Sequence, residues 1–253
     1  MKAPHVVLYR QSRDTMDAAE LAAARASFPS VALRTQVPSG AVAIGRYSVL
    51  PFYKELTDDL AERGASLINS FAQHRYVADV SRWYGDLTGL TPETWLSWDE
   101  VPEDAGPLVV KGRTNSRKFS WKTHMFAESK RAAADVAWRL LEDAVIGDQD
   151  LCFRRYVPLR TYHVGLQGLP ITEEYRFFVC DGEVLCGAYY WSGHVDDIGD
   201  TPDPARIPKS FLDEVLARVG KAVRFYVVDV GITADGKPIV IELNDGQMSG
   251  LSD

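Results

Sequence analysis

The tightest constraint on how this chain can fold lies in its last third, where Asp181-Gly182 and Asp235-Gly236 each separate two apolar runs. Asp-Gly favours the positive-φ turn that lets a strand double back on itself. The runs at 175–180 and 183–190, and those at 225–233 and 238–243, are rich in β-branched and aromatic residues. Each pair is therefore expected as an antiparallel hairpin. A Pro/Asp-rich loop at 196–208 and a helix over 210–223 separate the two.

The first 70 residues read differently. Strands are expected over 5–9, 41–44 and 66–68, with an Ala-rich helix over 14–28 that Asp14 can cap and a helix over 51–63 bounded by Pro51 and Gly64. This β-α-β-α-β order predicts a small, mostly parallel sheet covered by helices. A helix over 69–90 follows, then an exposed connection at 99–107 carrying two prolines and four acids. Next come a strand over 108–111, a polar stretch over 112–123, a long helix over 127–145 and a strand over 151–157.

Four segments carry chemistry. In the last hairpin, strand alternation puts Glu242 and Asn244 on one side, and the Asp235-Gly236 turn brings Asp229 near Glu242. Buried carboxylates need a compensating cation or donors, and Mg²⁺ takes carboxylate and amide oxygens while sharing phosphates. The bland alternative is that these acids are exposed or paired with a nearby Arg. Lys111 ends an apolar strand and opens a loop with five basic residues (Lys111, Arg113, Arg117, Lys118, Lys122) and no acid through Thr123. Such donors suit a polyphosphate, although a solvated basic loop has the same composition. The strand 152–157 ends at Pro158, which cannot donate, so its edge could face a base. Glu174 and Arg176 share one strand face opposite Tyr175, Phe177 and Val179. They suit a ribose acceptor and a phosphate clamp, or a plain cross-strand ion pair.

Several classes drop out. The chain has neither G-x-x-x-x-G-K-[ST] nor G-x-G-x-x-G nor G-x-S-x-G, its five His lack zinc spacing, and its three Cys are an odd, sparse set. No run approaches the roughly 18 apolar residues of a membrane span. With 28 Lys plus Arg against 35 Asp plus Glu, the net charge of −7 disfavours non-specific nucleic-acid binding.

Taken in order, these features resemble the ATP-grasp superfamily, whose members are mostly carboxylate–amine ligases. The resemblance implies an α/β (α+β) fold: a pre-ATP-grasp domain over 1–70 and an ATP-grasp domain over 71–253, divided into a nucleotide-binding part at 106–160 and a metal-binding part at 161–253. It implies that Lys111 contacts phosphates, with Arg113 and Lys122 in a loop closing over them. Arg155, Tyr156 and Val157 would form the adenine hinge, through the Arg155 carbonyl and the Val157 amide. Glu174 would bind ribose, Arg176 would clamp phosphate, and Asp229, Glu242 and Asn244 would hold Mg²⁺. The chain departs from the pattern in three places. The helix that often carries a second phosphate Lys offers His74, Arg75 and Arg82; Val227 stands where many ligases have Arg; and the loop after Lys111 lacks a run of glycines.

The resulting expectation is a cytoplasmic, ADP-forming ligase that uses ATP and Mg²⁺ to join a small-molecule or peptide carboxylate to an amine. A kinase-like phosphotransferase or a non-catalytic nucleotide-binding module is the alternative. Arg10, Arg46 and Tyr47 are candidate acceptor contacts, and the segments 191–208 and 245–253 are expected to shape the acceptor pocket.

Overall fold

In the computed structural model, which describes residues 4–9, 18–46, 52–194, 198–220 and 222–251, the N-terminal pattern closes into a four-stranded parallel sheet. Its strands are β1 (His5–Tyr9), β2 (Ser30–Val31), β3 (Val42–Arg46) and β4 (Ser66–Leu67), in the order β2-β1-β3-β4. Parallel neighbours need crossovers, and the helices Ala18–Ser27 and Tyr53–Glu62 supply two of them. Tyr53, Leu56 and Leu60 are buried at i, i+3 and i+7 and pack on Val6, Leu8 and Ala43. Asp14, Arg10 and Tyr47 lie outside the described residues.

The second sheet holds β5 (Thr94–Trp95), β6 (Leu108–Gly112), β7 (Phe126–Ala127) and β8 (Leu151–Arg155), antiparallel in the order β5-β8-β6-β7. The helix Lys130–Leu141 covers it through Ala133, Val136 and Leu140. This helix is shorter than the expected 127–145. Ala127 pairs with Leu108 in the sheet, and Ser129 caps the helix by accepting from the Ala132 amide. At the far end the Asp143 carboxylate takes the Val145 and Ile146 amides.

A two-stranded ribbon, β9 (Thr161–Val164) and β10 (Pro170–Thr172), leads into the third main sheet. That sheet comprises β11 (Glu174–Cys180), β12 (Glu183–Tyr189), β13 (Phe225–Ile232) and β14 (Pro238–Asp245), in the antiparallel order β12-β11-β13-β14. The helix Lys209–Val219 packs its Leu212, Val215 and Val219 on this sheet's core. Both expected hairpins form. Asp181 (φ 50°) and Gly182 (φ 85°) make the two-residue turn. The second turn is a residue longer: the Thr233 amide donates to the Lys237 carbonyl at 2.8 Å, with only Gly236 at positive φ.

The stretch 69–90 is not one helix. Ser70 and Gln73 cap each other at the start of the helix Phe71–Ala78, but Asp79 is extended and accepts from the Ser81 amide. The Asp79 cap starts the separate turn Val80–Trp83 and lets the Val80 amide bond the Arg113 carbonyl. Among the described residues no helix is long and apolar enough to cross a membrane.

Candidate functional site

Three strands of the last sheet align the charged residues. Arg176 on β11 stands opposite Asp229 on β13, which stands opposite Glu242 on β14. Directly opposed residues share a sheet face, so one row carries a cation and two acids. Asn244 lies opposite Val227, two positions along on the same face. A bulge interrupts this row: Asp229 pairs with Glu242 but Val230 pairs with Val240, leaving Ile241 as the extra residue. Bulges re-aim side chains beside functional sites. Here Ile241 and Glu242, although consecutive, both line one cavity.

Each acid is met by a cation. Arg176 clamps Asp229 with two parallel bonds of 2.8 Å, and its third nitrogen donates to the Gly250 carbonyl at 3.1 Å. Lys111, buried at the end of β6, crosses from the second sheet to pair with Glu242. Burial alone would push the Glu242 carboxyl up, but Lys111, Lys118 and the Asn244 amide outweigh it and hold it down to about 2. Burial would lower the Arg176 guanidinium, yet Asp229 raises it above the ordinary arginine range.

The cavity between the two sheets is about 150 Å³. Val109, Trp121 and Met125 give it an apolar wall, the segment Arg155, Tyr156 and Val157 lines it too, and Lys111, Glu174 and Glu242 give it polar side chains. The Tyr156 amide is taken by the Pro107 carbonyl at 2.9 Å, and the Arg155 amide by the Glu93 carbonyl at 2.8 Å. The Arg155 side chain turns outward to Glu93 (2.8 Å), so this residue meets the cavity by its backbone. Glu174 is buried and accepts from Thr172 and from the Trp191 indole (3.2 Å). Its burial pushes the carboxyl above the usual range. Its neighbour Glu173 is also buried but takes Arg160, Arg206 and the Tyr175 hydroxyl, which anchors β11 rather than the site. A second, polar cavity shares Ser116 and Glu242 and adds Thr114, Asn115 and Asn244.

Four of the sequence candidates do not line this cavity: Asn244 lines the polar one, Arg176 is turned to Asp229 and the Gly250 carbonyl, and Arg113 and Lys122 point elsewhere. Arg113 is turned toward Asp150 (2.9 Å) and the Leu96 carbonyl (3.1 Å), and Lys122 is exposed beside Gly168. The loop cation that enters is Lys118, which donates to the Tyr190 hydroxyl. Tyr190 in turn lies against Arg176, whose guanidinium carbon is 4.7 Å from the ring centre. Of the three basic residues before the second sheet, His74 is buried against Asp245, Arg75 is exposed, and Arg82, on the turn Val80–Trp83, sits 3.8 Å from Asp79. Arg46 is held by Glu20 (2.5 Å) and by the Gly246 and Ser249 carbonyls.

Sequence reasoning missed Arg154, a buried guanidinium that donates to the Ile241 carbonyl (2.6 Å), Thr91 (2.7 Å) and Thr94 (3.1 Å). Its signal was available: in Cys152-Phe153-Arg154, strand alternation puts Arg154 and Arg155 on opposite faces, so one of them must point inward. Tyr190 and Trp191 carried no comparable signal.

Solved structures match nearly the full length. A RimK domain ATP-grasp protein from Sphaerobacter thermophilus has 21% identity and a TM-score of 0.58, covering 97% of this chain and 92% of that one. A D-alanine–D-alanine ligase from Bacillus anthracis complexed with ATP has 15% identity and a TM-score of 0.59, covering 97% and 87%. The ATP-grasp ligase PsnB, in complex with Mg, ADP and a phosphomimetic variant of its minimal precursor, has 12% identity and a TM-score of 0.57, covering 96% and 90%. No curated protein matches the chain in sequence. These likenesses establish the ATP-grasp fold, and residues 96–253 match one of its families throughout. That match spans more than half of the chain, and the chain belongs to the ATP-grasp domain, R2K clade family 3.

Proposed function

We propose that this protein is an ATP- and Mg²⁺-dependent ligase that activates a carboxylate for attack by an amine. The terminal phosphoryl group of ATP would pass to a carboxylate oxygen, giving ADP and an acyl phosphate. The amine nitrogen would then attack the acyl carbon, phosphate would leave, the nitrogen would lose a proton, and an amide would remain. The observation that carries the reading is that Lys111, Asp229 and Glu242 line one cavity together with residues 155–157, while Arg176 is clamped on Asp229 beside it. Phosphoryl transfer asks a protein for positioning and charge neutralisation more than for covalent help. D-alanine–D-alanine ligase and PsnB share the fold, which supports a small-molecule or peptide substrate.

The donor set fits Mg²⁺. Asp229, Glu242 and Asn244 offer hard oxygens from one face, and each carboxylate oxygen keeps a lone pair beyond its present bond. Among the described residues no three His, Cys, Asp or Glu side chains form a metal group on their own. Mg²⁺ takes one or two carboxylates and completes its shell with phosphate and water. When bound, the ion would neutralise phosphate charge. The protein's own part is to keep Glu242 ionised, to release Lys111 and Arg176 toward the phosphates, and to bring Lys118 over them from the loop. Glu174 would accept from ribose, and the Arg155 carbonyl and Val157 amide would face adenine. In this reading 1–70 is the acceptor-side domain and 71–253 the ATP-grasp domain, in a cytoplasmic enzyme.

The test is ADP release from ATP and Mg²⁺ in the presence of amino-acid and short-peptide panels, with products identified by mass. An amide with free phosphate is the expected result; a stable phosphorylated product would make the protein a kinase. Turnover surviving the joint change Asp229→Ala and Glu242→Ala would remove the metal assignment.

A further inference from the structure

The row of proposed metal ligands has a weakness in its own register. Along β14 the bulge at Ile241 offsets the pairing by one residue. If that extra residue moved toward the strand's end, Glu242 and then Asn244 would rotate to the opposite face, because side chains alternate with period two. The Asp235-Gly236 turn fixes the hairpin only on the far side of the bulge. Something must hold the open end.

That end is held by a buried polar network whose other half belongs to the chain preceding the second sheet. Asn69, His74, Asp245 and Gln247 are each no more than 3% exposed. The Asn69 side chain accepts from the Phe225 amide (3.0 Å), donates to the Phe225 carbonyl (2.6 Å), and donates to the Asp245 carboxylate (3.0 Å). It thus ties the first residue of β13 to the last residue of β14. The other Asp245 oxygen takes His74 Nδ1 at 3.0 Å, and the Gln247 amide donates to the carboxylate at 2.9 Å. His74 is in turn stacked on Tyr53, with ring centres 4.3 Å apart. Gln247 accepts from the Gly45 amide and donates to the Tyr53 hydroxyl. A buried carboxylate persists only when donors saturate it, and these donors come from 69–74 and 247, not from the sheet.

We propose that Asn69, His74 and Asp245 are positioning residues which lock the β13–β14 register and thereby keep Glu242 and Asn244 aimed at the metal. This rests on the Mg²⁺ reading above. Partners that orient metal ligands typically change metal affinity by about 10–100-fold when removed. A staple that served folding alone would lower the melting temperature and leave metal affinity intact.

The experiment is calorimetric titration of ADP into the full chain, once with EDTA and once with Mg²⁺, so that the ratio of the two affinities isolates the metal. In Asp245→Asn and His74→Ala the EDTA affinity should stay within about twofold of wild type while the Mg²⁺ enhancement falls about tenfold or more. His74→Asn, whose amide nitrogen can stand where Nδ1 does, should restore most of it. An unchanged enhancement in folded variants overturns the proposal. If the variants fail to fold, hydrogen exchange on wild type decides. Mg²⁺ added to the ADP complex should slow exchange over 69–76 and at Gly45, and no slowing there overturns the proposal equally. Wild-type protein showing no Mg²⁺-dependent ADP affinity would instead sink the metal reading itself.

Discussion

Arg154 and Arg155 are adjacent in sequence and opposite in role, so changing each to methionine isolates what the inward one does. Removing the Arg154 guanidinium leaves three former acceptors. The Thr91 and Thr94 hydroxyls still donate to the Val240 and Pro92 carbonyls at 2.8 Å each, so they stay satisfied. The Ile241 carbonyl loses its 2.6 Å partner, at a cost of about 1–3 kcal/mol for an unpaired buried acceptor. Methionine fills most of the vacated volume. Burial already disfavours the charged guanidinium and lowers its pKa, so part of the cost is offset. A net loss of about 2 kcal/mol corresponds to a fall of about 4–8 °C in melting temperature for a chain of this size. Arg155 pairs with Glu93 at 42% and 50% exposure, worth only about 0.2–1 kcal/mol, and donates to the Ala105 carbonyl at 2.6 Å, so Arg155→Met should shift melting by less than Arg154→Met does.

The same pair of variants separates stability from function. Ile241 is the bulged residue, so freeing its carbonyl loosens the turn that aims Glu242. Arg154→Met should therefore weaken ADP binding in Mg²⁺ about tenfold. Arg155→Met should leave it within about twofold, because that residue meets the cavity by its backbone. Scanning calorimetry and titration check both halves. Equal melting shifts in the two variants, or an Arg154→Met protein as stable as wild type, would refute the claim that this guanidinium pins the bulge.

The Glu242 carboxyl is depressed from its ordinary 4.5 to about 2; its pairing therefore adds stability above pH about 4.5 that disappears as pH falls through about 2. The stability gap between wild type and Glu242→Gln, followed by denaturant unfolding, should be widest near neutrality and close across that window. Glu174 is shifted the other way by burial, so its ionised form strains the fold above the ordinary carboxylate range. Glu174→Gln should raise the melting temperature at pH 7–8 while weakening ADP binding about tenfold, the scale of one lost charge-assisted hydrogen bond. Lys118→Met should weaken ATP more than adenosine, since the loop cation faces the acids. Lys122→Met should change neither by more than about twofold.

The legible parts of this chain were those whose signals are local. Two Asp-Gly turns and the alternation around Asp229 and Glu242 specify a hairpin face, and the observed register pairs those two residues. Lys111 at the end of three apolar residues pointed toward a site or a partner, and it meets Glu242. What escaped was set by contacts distant in sequence. Which loop cation enters the cavity depends on Tyr190, some 70 positions away, and composition cannot rank Lys118 above Arg113 or Lys122. The break at Asp79 is an Asx-type cap competing with helix continuation, and it is stabilised by the Arg113 carbonyl from the second sheet. His74 looks from sequence like a spare cation on a helix. Only the fold shows that it is spent on Asp245. A basic residue near a nucleotide site therefore carries little information until its acid is known. In this chain the buried acids Glu173, Glu174, Asp229 and Asp245 and the half-buried Glu242 each take particular cations or donors, and the cations left over for phosphate are decided by that pairing.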